Sequence, residues 1–267
     1  MVGAHNAIWA YGIKSKKYKI NRMHSFHDYK EAKKLYASLS LPPFKIVLTG
    51  TGRVSQGAAQ VLKDAGVKRV SASAFLKQSF DHPVFTQLGP KQYVKKKEGA
   101  SFIHLVDFFR NPTLFESRFE PYSRVADVMI NGIYWDPKSP AFFTAEDMAD
   151  PTFSIQLISD VTCDIAPDSS IPGTLRSSTI ADPIYGYDAK TNSEVNAFSS
   201  KSIDVIAVDN LPNELPRDAS LAFGRQFIKH VFPEMFNKTS RMLKEATIAD
   251  KGKLTKYYKY LENYVAG

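Results

Sequence analysis

The strongest chemical signal is Gly50-Thr51-Gly52-Arg53-Val54-Ser55-Gln56-Gly57, set between an apolar run, Lys45 to Thr49, and a helical pattern, Val54 to Ala65. Gly50 lets the chain turn tightly out of a strand. Gly52 lets a pyrophosphate approach the backbone. The helix start that follows offers unpaired N–H groups and the positive end of a dipole. The common dinucleotide fingerprint is G-x-G-x-x-G. Here its third position is Ser55, with a glycine two residues later at Gly57. Ser55 is small enough for a moderately close helix–sheet contact, and its hydroxyl can cap the helix or touch phosphate. A purely structural turn is the other reading. NAD calls for a carboxylate at the end of the second strand, about twenty residues after the first glycine, to bind the ribose 2′-OH. That window reads Val70 to Phe75 (VSASAF) and holds none. Ser71 or Ser73 can hydrogen-bond a ribose or a 2′-phosphate, and Arg69 and Lys77 flank the window. NAD and NADP both stay open, and the two cations read equally well as a solvated surface pair.

A second group is Asp160-Val161-Thr162-Cys163-Asp164, at the end of another apolar run. A carboxylate there can orient a nicotinamide ribose, an amine or a water; the plain role for Asp164 is to cap the following loop. Asn131-Gly132 also ends a strand and can pass close to a nucleotide. Tyr134 and Trp135 either cover it or belong to the core. Cys163 is the single cysteine and has no histidine nearby, so a disulfide framework, a thiol nucleophile and a metal site lack support. His5, His24, His27, His82, His104 and His230 show no metal-ligand spacing. No G-x-S-x-G and no P-loop ending occur, which removes a serine hydrolase of that type and a P-loop NTPase.

The elements that position these residues follow from periodicity. Small and apolar residues from Val2 to Tyr11 predict a buried helix, followed by a basic stretch, Lys14 to Arg22. Tyr29 to Leu39 predicts a helix that ends before Pro42-Pro43. Lys45 to Thr49 predicts a buried parallel strand. Val54 to Ala65 predicts a helix with Ala58, Val61 and Leu62 inward, stopped by Gly66. Arg69 to Phe75 reads as a second strand, and residues 76–100 mostly as loop. Short helices are expected around Leu105–Phe109 and Thr113–Phe119. Ala126 to Tyr134, Ser154 to Val161 and Ile203 to Val208 read as further strands. Thr144, with Asp147 at the third following position, reads as a helix cap. A long helix is expected from Leu215 to Phe232, and one or two more between Arg241 and Tyr260. The alternation gives an α/β class: a Rossmann-like, doubly wound, mostly parallel sheet with flanking helices and helical N- and C-terminal extensions. Such sheets bind ligands beyond the C-terminal strand ends, here after Thr49, Phe75, Asn131 and Val161.

The chain has 267 residues and a formal net charge of +8. The balance is +6 over residues 1–40, −2 over 41–237 and +4 over 238–267. Basicity confined to the ends does not describe a uniformly basic nucleic-acid binder, and no nucleic-acid module is recognisable. No apolar run reaches transmembrane length, and the start lacks the basic region of a signal peptide. With one cysteine, a reducing cytoplasmic compartment is expected.

Five blocks in order carry a resemblance: the glycine turn through Ala58; Ala126 to Trp135 (ADVMINGIYW); Asp160 to Ile165 (DVTCDI); Ile180 to Asp188 (IADPIYGYD); and Val208 to Ala219 (VDNLPNELPRDA). Over roughly 45–235 the chain resembles the saccharopine dehydrogenases of lysine metabolism, most closely their lysine–2-oxoglutarate reductase branch, which share a two-lobed architecture with alanine dehydrogenase. The resemblance implies that Gly50, Gly52 and Ser55 hold the pyrophosphate of NAD or NADP; Thr51, Arg53, Val54 and Ser71 are further expected cofactor contacts. Asn131, Gly132, Ile133 and Tyr134 would lie beside the ribose and ring system. Asp164 would be the carboxylate beside the nicotinamide end, orienting cofactor or substrate. The family reduces an imine formed from an amino acid and a keto acid. Its catalytic lysine and histidine lie on a substrate lobe that precedes the nucleotide lobe. Val2 to Ala7 resembles the crossover between the lobes. The expectation is therefore a crossover over 1–43, a dinucleotide-binding domain over 44–212, and helices over 213–267 that pack back toward a substrate lobe. Substrate would be bound only with that lobe, and a homodimer is a possible assembly. A non-catalytic nucleotide-binding or regulatory protein, and an alanine- or opine-type dehydrogenase lobe, are the alternatives.

Overall fold

Residues 45–49 (KIVLT) form strand β1, Lys45–Thr49, whose last four side chains are buried. A run with no polar face is stable only in the middle of a sheet covered on both sides, and that is where it lies. The computed structural model describes residues 1–98 and 105–267. The other strands of the main sheet are β2 (Lys68–Arg69), β3 (Val84–Leu88), β4 (Val128–Asn131), β5 (Leu157–Asp160), β6 (Tyr185–Asp188), β7 (Ser193–Val195) and β8 (Ile203–Ile206). Their order across the sheet is β2-β3-β1-β4-β5-β8-β6-β7. Neighbours from β2 to β8 run parallel; β6 and β7 add an antiparallel edge. The fold is α/β and Rossmann-like, as the alternation implies.

Both faces are covered. Helices α1 (Val2–Ser15) and α3 (Arg53–Asp64) lie on one face, where Ile8, Tyr11, Leu48, Val61, Leu62 and Ile130 share a core. The other core is aromatic, with Phe75, Phe115, Phe119, Tyr122, Phe142 and Tyr187. Each such side chain contributes about 1.5–3 kcal/mol when fully buried. α3 begins at Gly52 and is closed by Gly66, whose φ of +83° suits glycine. Helix α2 spans Tyr29–Tyr36, capped by Asp28, whose side chain accepts from Glu31 N at 2.8 Å.

Two sequence expectations fail around β3. The stretch read as strand from Arg69 to Phe75 is β-structure only at Lys68–Arg69. It then becomes helix α4, Ala72–Lys77, because the Ser71 side chain accepts from Ala74 N at 3.1 Å and starts a turn. The stretch read as loop contains β3, which pairs with all five residues of β1. Thr86 and Gln87 disguise it, yet Thr86 is buried. Residues 99–100 of the expected loop, and His104, lie outside the described residues. The Thr144 cap is present. Asp147 N donates to Thr144 Oγ1 at 3.1 Å and Thr144 N to Asp147 Oδ2 at 2.8 Å, opening helix α5, Ala145–Ala149.

Residues 1–215 form one compact unit and residues 216–267 a second. The N-terminal segment is tied into the first unit by buried charge. Lys14 Nζ lies 3.1 Å from Asp204 Oδ2 and donates to the carbonyls of Ser202 at 2.7 Å and Ser199 at 3.1 Å. Arg22 pairs with Glu214, which also accepts from Asn6 Nδ2 at 3.0 Å on each oxygen. His5 lies between the Tyr36 hydroxyl at 2.6 Å and the Asn21 carbonyl at 2.8 Å. Burial pushes its pKa down to about 4, so the ring is neutral at physiological pH.

In the second unit, helix α6 spans Pro216–Gln226 and widens into a π-type turn at Phe227–Val231. The expected long helix therefore loses α regularity at Gln226. No residue of α6 is buried, and Leu221, Phe223, Ile228, Phe232 and Phe236 are exposed. Among the described residues, no helix is long and apolar enough to cross a membrane.

Candidate functional site

The register of the parallel strands puts Thr49, Asn131 and Asp160 side by side at the C-terminal ends of β1, β4 and β5. Their side chains join. Thr49 Oγ1 donates to Asn131 Oδ1 at 2.7 Å. Asn131 Nδ2 donates to Asp160 Oδ1 and to Ser170 Oγ, both at 3.0 Å. Asp160 Oδ1 also accepts from Thr162 N at 3.2 Å and Thr162 Oγ1 at 2.6 Å, while Oδ2 accepts from Thr174 Oγ1 at 2.7 Å. All three members of the row are buried. Burial pushes the Asp160 carboxyl above the usual range, against hydrogen bonds from Thr162, Thr174 and Asn131. A buried polar row is stable only when its donors and acceptors are matched, and this one is. It forms the floor of the strand-end edge.

The glycine turn sits on that floor. Gly50 has φ of +93°, and its N–H donates to Leu88 O at 2.8 Å. A Cβ on Gly50 would lie 2.5 Å from Ser55 Oγ and 2.7 Å from the Gly132 carbonyl oxygen. Only glycine fits that position. Gly52 is different: a Cβ there would meet nothing within 4 Å, so its surface is open to approach. Gly52 is also the N-cap of α3 and brings no side-chain acceptor. Thr51, Gly52, Arg53 and Val54 are exposed. Together these features make a cradle for an anion at a helix start. Ser55 is fully buried; its hydroxyl faces inward, to Thr49 O at 2.7 Å and Gly132 O at 2.9 Å.

The segment after β4 lies beside this turn. Gly132 is buried against Ser55, and Ile133 is half-buried. Tyr134 is 88 % exposed. Ile133, Tyr134 and Trp135 line a mostly apolar pocket with Tyr93, Phe108 and Phe142. Aromatic walls of this kind have the faces on which a flat ring can stack.

Asp164 is half-exposed just beyond β5, and burial raises its pKa against a hydrogen bond with Thr162. Cys163 precedes it with φ of +57° and its thiol donates to Ala207 O at 3.0 Å. Burial, with the charges of Asp160, Asp209 and Asp164, pushes that thiol up to about 11, so it is not a thiolate nucleophile at neutral pH. Among the described residues, no group of three or more His, Cys, Asp or Glu could hold a metal.

The strand expected to carry a ribose contact is also a different one. The strand beside β1 on that side is β3, not the 69–75 stretch. That strand ends at Gln87-Leu88-Gly89, well beyond the spacing from Gly50 usual for a ribose contact. No carboxylate stands there either. Gln87 Nε2 donates to Gly50 O at 3.0 Å. Ser71 is exposed at the start of α4 beyond edge strand β2, separated from β1 by β3. Sequence reasoning missed Gln87, Thr49, Ser170 and Thr174. Their partners lie 14 to 82 residues away in the chain, and no local pattern marks them.

No protein-family model matches the chain. It is 27 % identical over 261 residues to the mitochondrial alpha-aminoadipic semialdehyde synthase of Rattus norvegicus, a match that covers 84 % of this chain and 27 % of that protein. The alpha-aminoadipic semialdehyde synthase of Arabidopsis thaliana is 25 % identical over 253 residues, covering 84 % of this chain and 23 % of that protein. The saccharopine dehydrogenase [NAD(+), L-lysine-forming] of Emericella nidulans is 23 % identical over 205 residues, covering 76 % and 44 % respectively. The chain is thus a distant homologue of these enzymes and spans roughly a quarter to less than half of their length.

Proposed function

We propose that this chain is the NAD(P)-binding lobe of an oxidoreductase acting on a CH–NH bond, built like saccharopine dehydrogenase and lysine–2-oxoglutarate reductase, and that it does not catalyse alone. The observation that carries this reading is the cradle at Gly50–Val54. One glycine is closed against its neighbours, the next is open, and the helix start behind them has no side-chain cap. A pyrophosphate fits the chemistry of that donor set.

The bound cofactor would supply the hydride chemistry; this chain would bind and orient it. Gly50, Gly52 and the first-turn N–H groups at Arg53 and Val54 hold the pyrophosphate. Ile133 and Tyr134 flank a ring. Asp164 orients the nicotinamide end or a substrate amine, from a half-buried place that favours its neutral form more than water does. With no carboxylate at the end of β3, the usual contact to the ribose 2′-OH of NAD is missing there, which leaves NADP open beside NAD. The amino-acid and keto-acid substrates, and the proton-transfer groups, belong to a second lobe. Residues 213–267 pack back onto it, and the exposed Phe223 and Phe236 are part of the surface it covers.

A steady-state assay of this chain with L-lysine, 2-oxoglutarate and either NADH or NADPH tests the reading. No turnover above the enzyme-free rate is expected, with activity appearing only when a substrate lobe is supplied. Robust turnover by the 267-residue chain would overturn it.

A further inference from the structure

The third glycine of a dinucleotide turn lets the helix come close to its strand. Here that position carries a side chain, and the room is made elsewhere. Ser55 Oγ occupies the space that a Cβ on Gly50 or on Gly132 would enter, at 2.5 and 2.8 Å. Two glycines on the flanking segments thus accommodate one serine on the helix. The hydroxyl has a single hydrogen and two carbonyl acceptors, Thr49 and Gly132, so it is shared between them. Thr49 Oγ1 in turn donates to Asn131 Oδ1, and Asn131 adjoins Gly132. The end of β1, the end of β4 and the first turn of α3 therefore form one closed ring of hydrogen bonds, anchored to β5 through Asp160.

We propose that Ser55 is a positioning residue for the dinucleotide: without touching phosphate, it locks the 132–135 loop to the glycine turn. The segment that holds the pyrophosphate and the segment that flanks the ring then keep one spacing before ligand arrives. This rests on the dinucleotide reading above. It leads to an unusual expectation. Ser55→Gly restores the common fingerprint spacing, yet it weakens binding. The substitution removes the donor shared by two carbonyls, opens a void, and frees a loop whose order must then be supplied on binding.

The test uses the full chain. Its two tryptophans are Trp9 and Trp135, so in a Trp9→Phe background Trp135 alone reports on the loop. Acrylamide quenching of Trp135 is measured without ligand, and NADPH binding by calorimetric titration. Ser55→Gly is expected to raise the quenching constant about twofold and to weaken NADPH binding about tenfold, the loss of one hydrogen bond's worth. Ser55→Cys, which keeps the volume but donates weakly, is the fallback if the glycine variant does not fold. Gly132→Ala should also weaken binding, because its methyl meets Ser55 Oγ. The Ser55→Gly/Gly132→Ala pair should recover part of that loss, which two independent structural defects would not do. Unchanged or tighter NADPH binding by Ser55→Gly, or unaltered quenching of Trp135, would overturn the assignment. A wild-type chain that binds no nucleotide would instead overturn the dinucleotide reading itself, while the quenching arm still reports whether Ser55 locks the loop.

Discussion

Gly50→Ala is expected to weaken NADPH binding by about a hundredfold or more, while costing about 1–3 kcal/mol of stability for the strained backbone. Two independent causes act on that residue. Its φ of +93° is unfavourable for any residue with a Cβ. The methyl would also lie 2.5 Å from Ser55 Oγ and 2.7 Å from the Gly132 carbonyl, and both groups are buried. Relief requires the turn to move away from β4, which spoils the anion cradle and the ring-side segment together. Gly52→Ala is the control: its Cβ meets nothing within 4 Å, and its φ of −79° is ordinary. Any loss there reports contact with ligand rather than damage to the fold. Calorimetric titration separates the two, and urea unfolding measures the stability term.

The second large effect lies away from the cradle. Glu214→Ala is expected to destabilise the first unit by about 3–5 kcal/mol, the usual cost of stranding one member of a buried ion pair. Arg22 is 8 % exposed and Glu214 1 %. The substitution leaves the guanidinium without its carboxylate and the Asn6 amide without both acceptors. Asn6 also accepts from Met23 N at 3.2 Å, so the turn between α1 and α2 loosens with it. Glu214→Gln, which keeps one acceptor, should fall between the two. Urea unfolding of the three chains reads this out. A loss below about 1 kcal/mol would mean that the pair behaves as a screened surface bridge.

Local signals explain which parts of the fold were legible in the sequence. The β1–turn–α3 unit could be read because each part carries its own mark: an apolar run, two glycines, a 3.6-residue stripe and a closing glycine. β4, β5 and β8 could be read as short apolar runs. β3 could not, because Thr86 and Gln87 interrupt its pattern; the sheet buries Thr86 regardless. The 69–75 stretch has the alternating small residues of a strand, whereas Ser71 captures the Ala74 N–H and starts a helix. The same expectation places a ribose contact beyond the edge of the sheet, whereas the strand beside β1 is β3.

The site was legible as residue types but not as an arrangement. Nothing local announces that Thr49, Asn131 and Asp160 share one register level, since they come from three strands separated by 82 and 29 residues. Nor does the sequence say which way Ser55 points. Its hydroxyl was a candidate phosphate ligand by type, and the fold turns it to the backbone instead. Gly132 explains why: the neighbouring strand end has given up its side chain to make room.

Binding of a nicotinamide dinucleotide at the Gly50–Val54 turn is the proposal on which the rest depends. The most direct measurement is a calorimetric titration of the 267-residue chain with NADPH and NADH, run beside Gly50→Ala. One-site micromolar binding of at least one of the two, lost in the variant, is the predicted result. No saturable binding at millimolar nucleotide, or equal binding by wild type and Gly50→Ala, would contradict it.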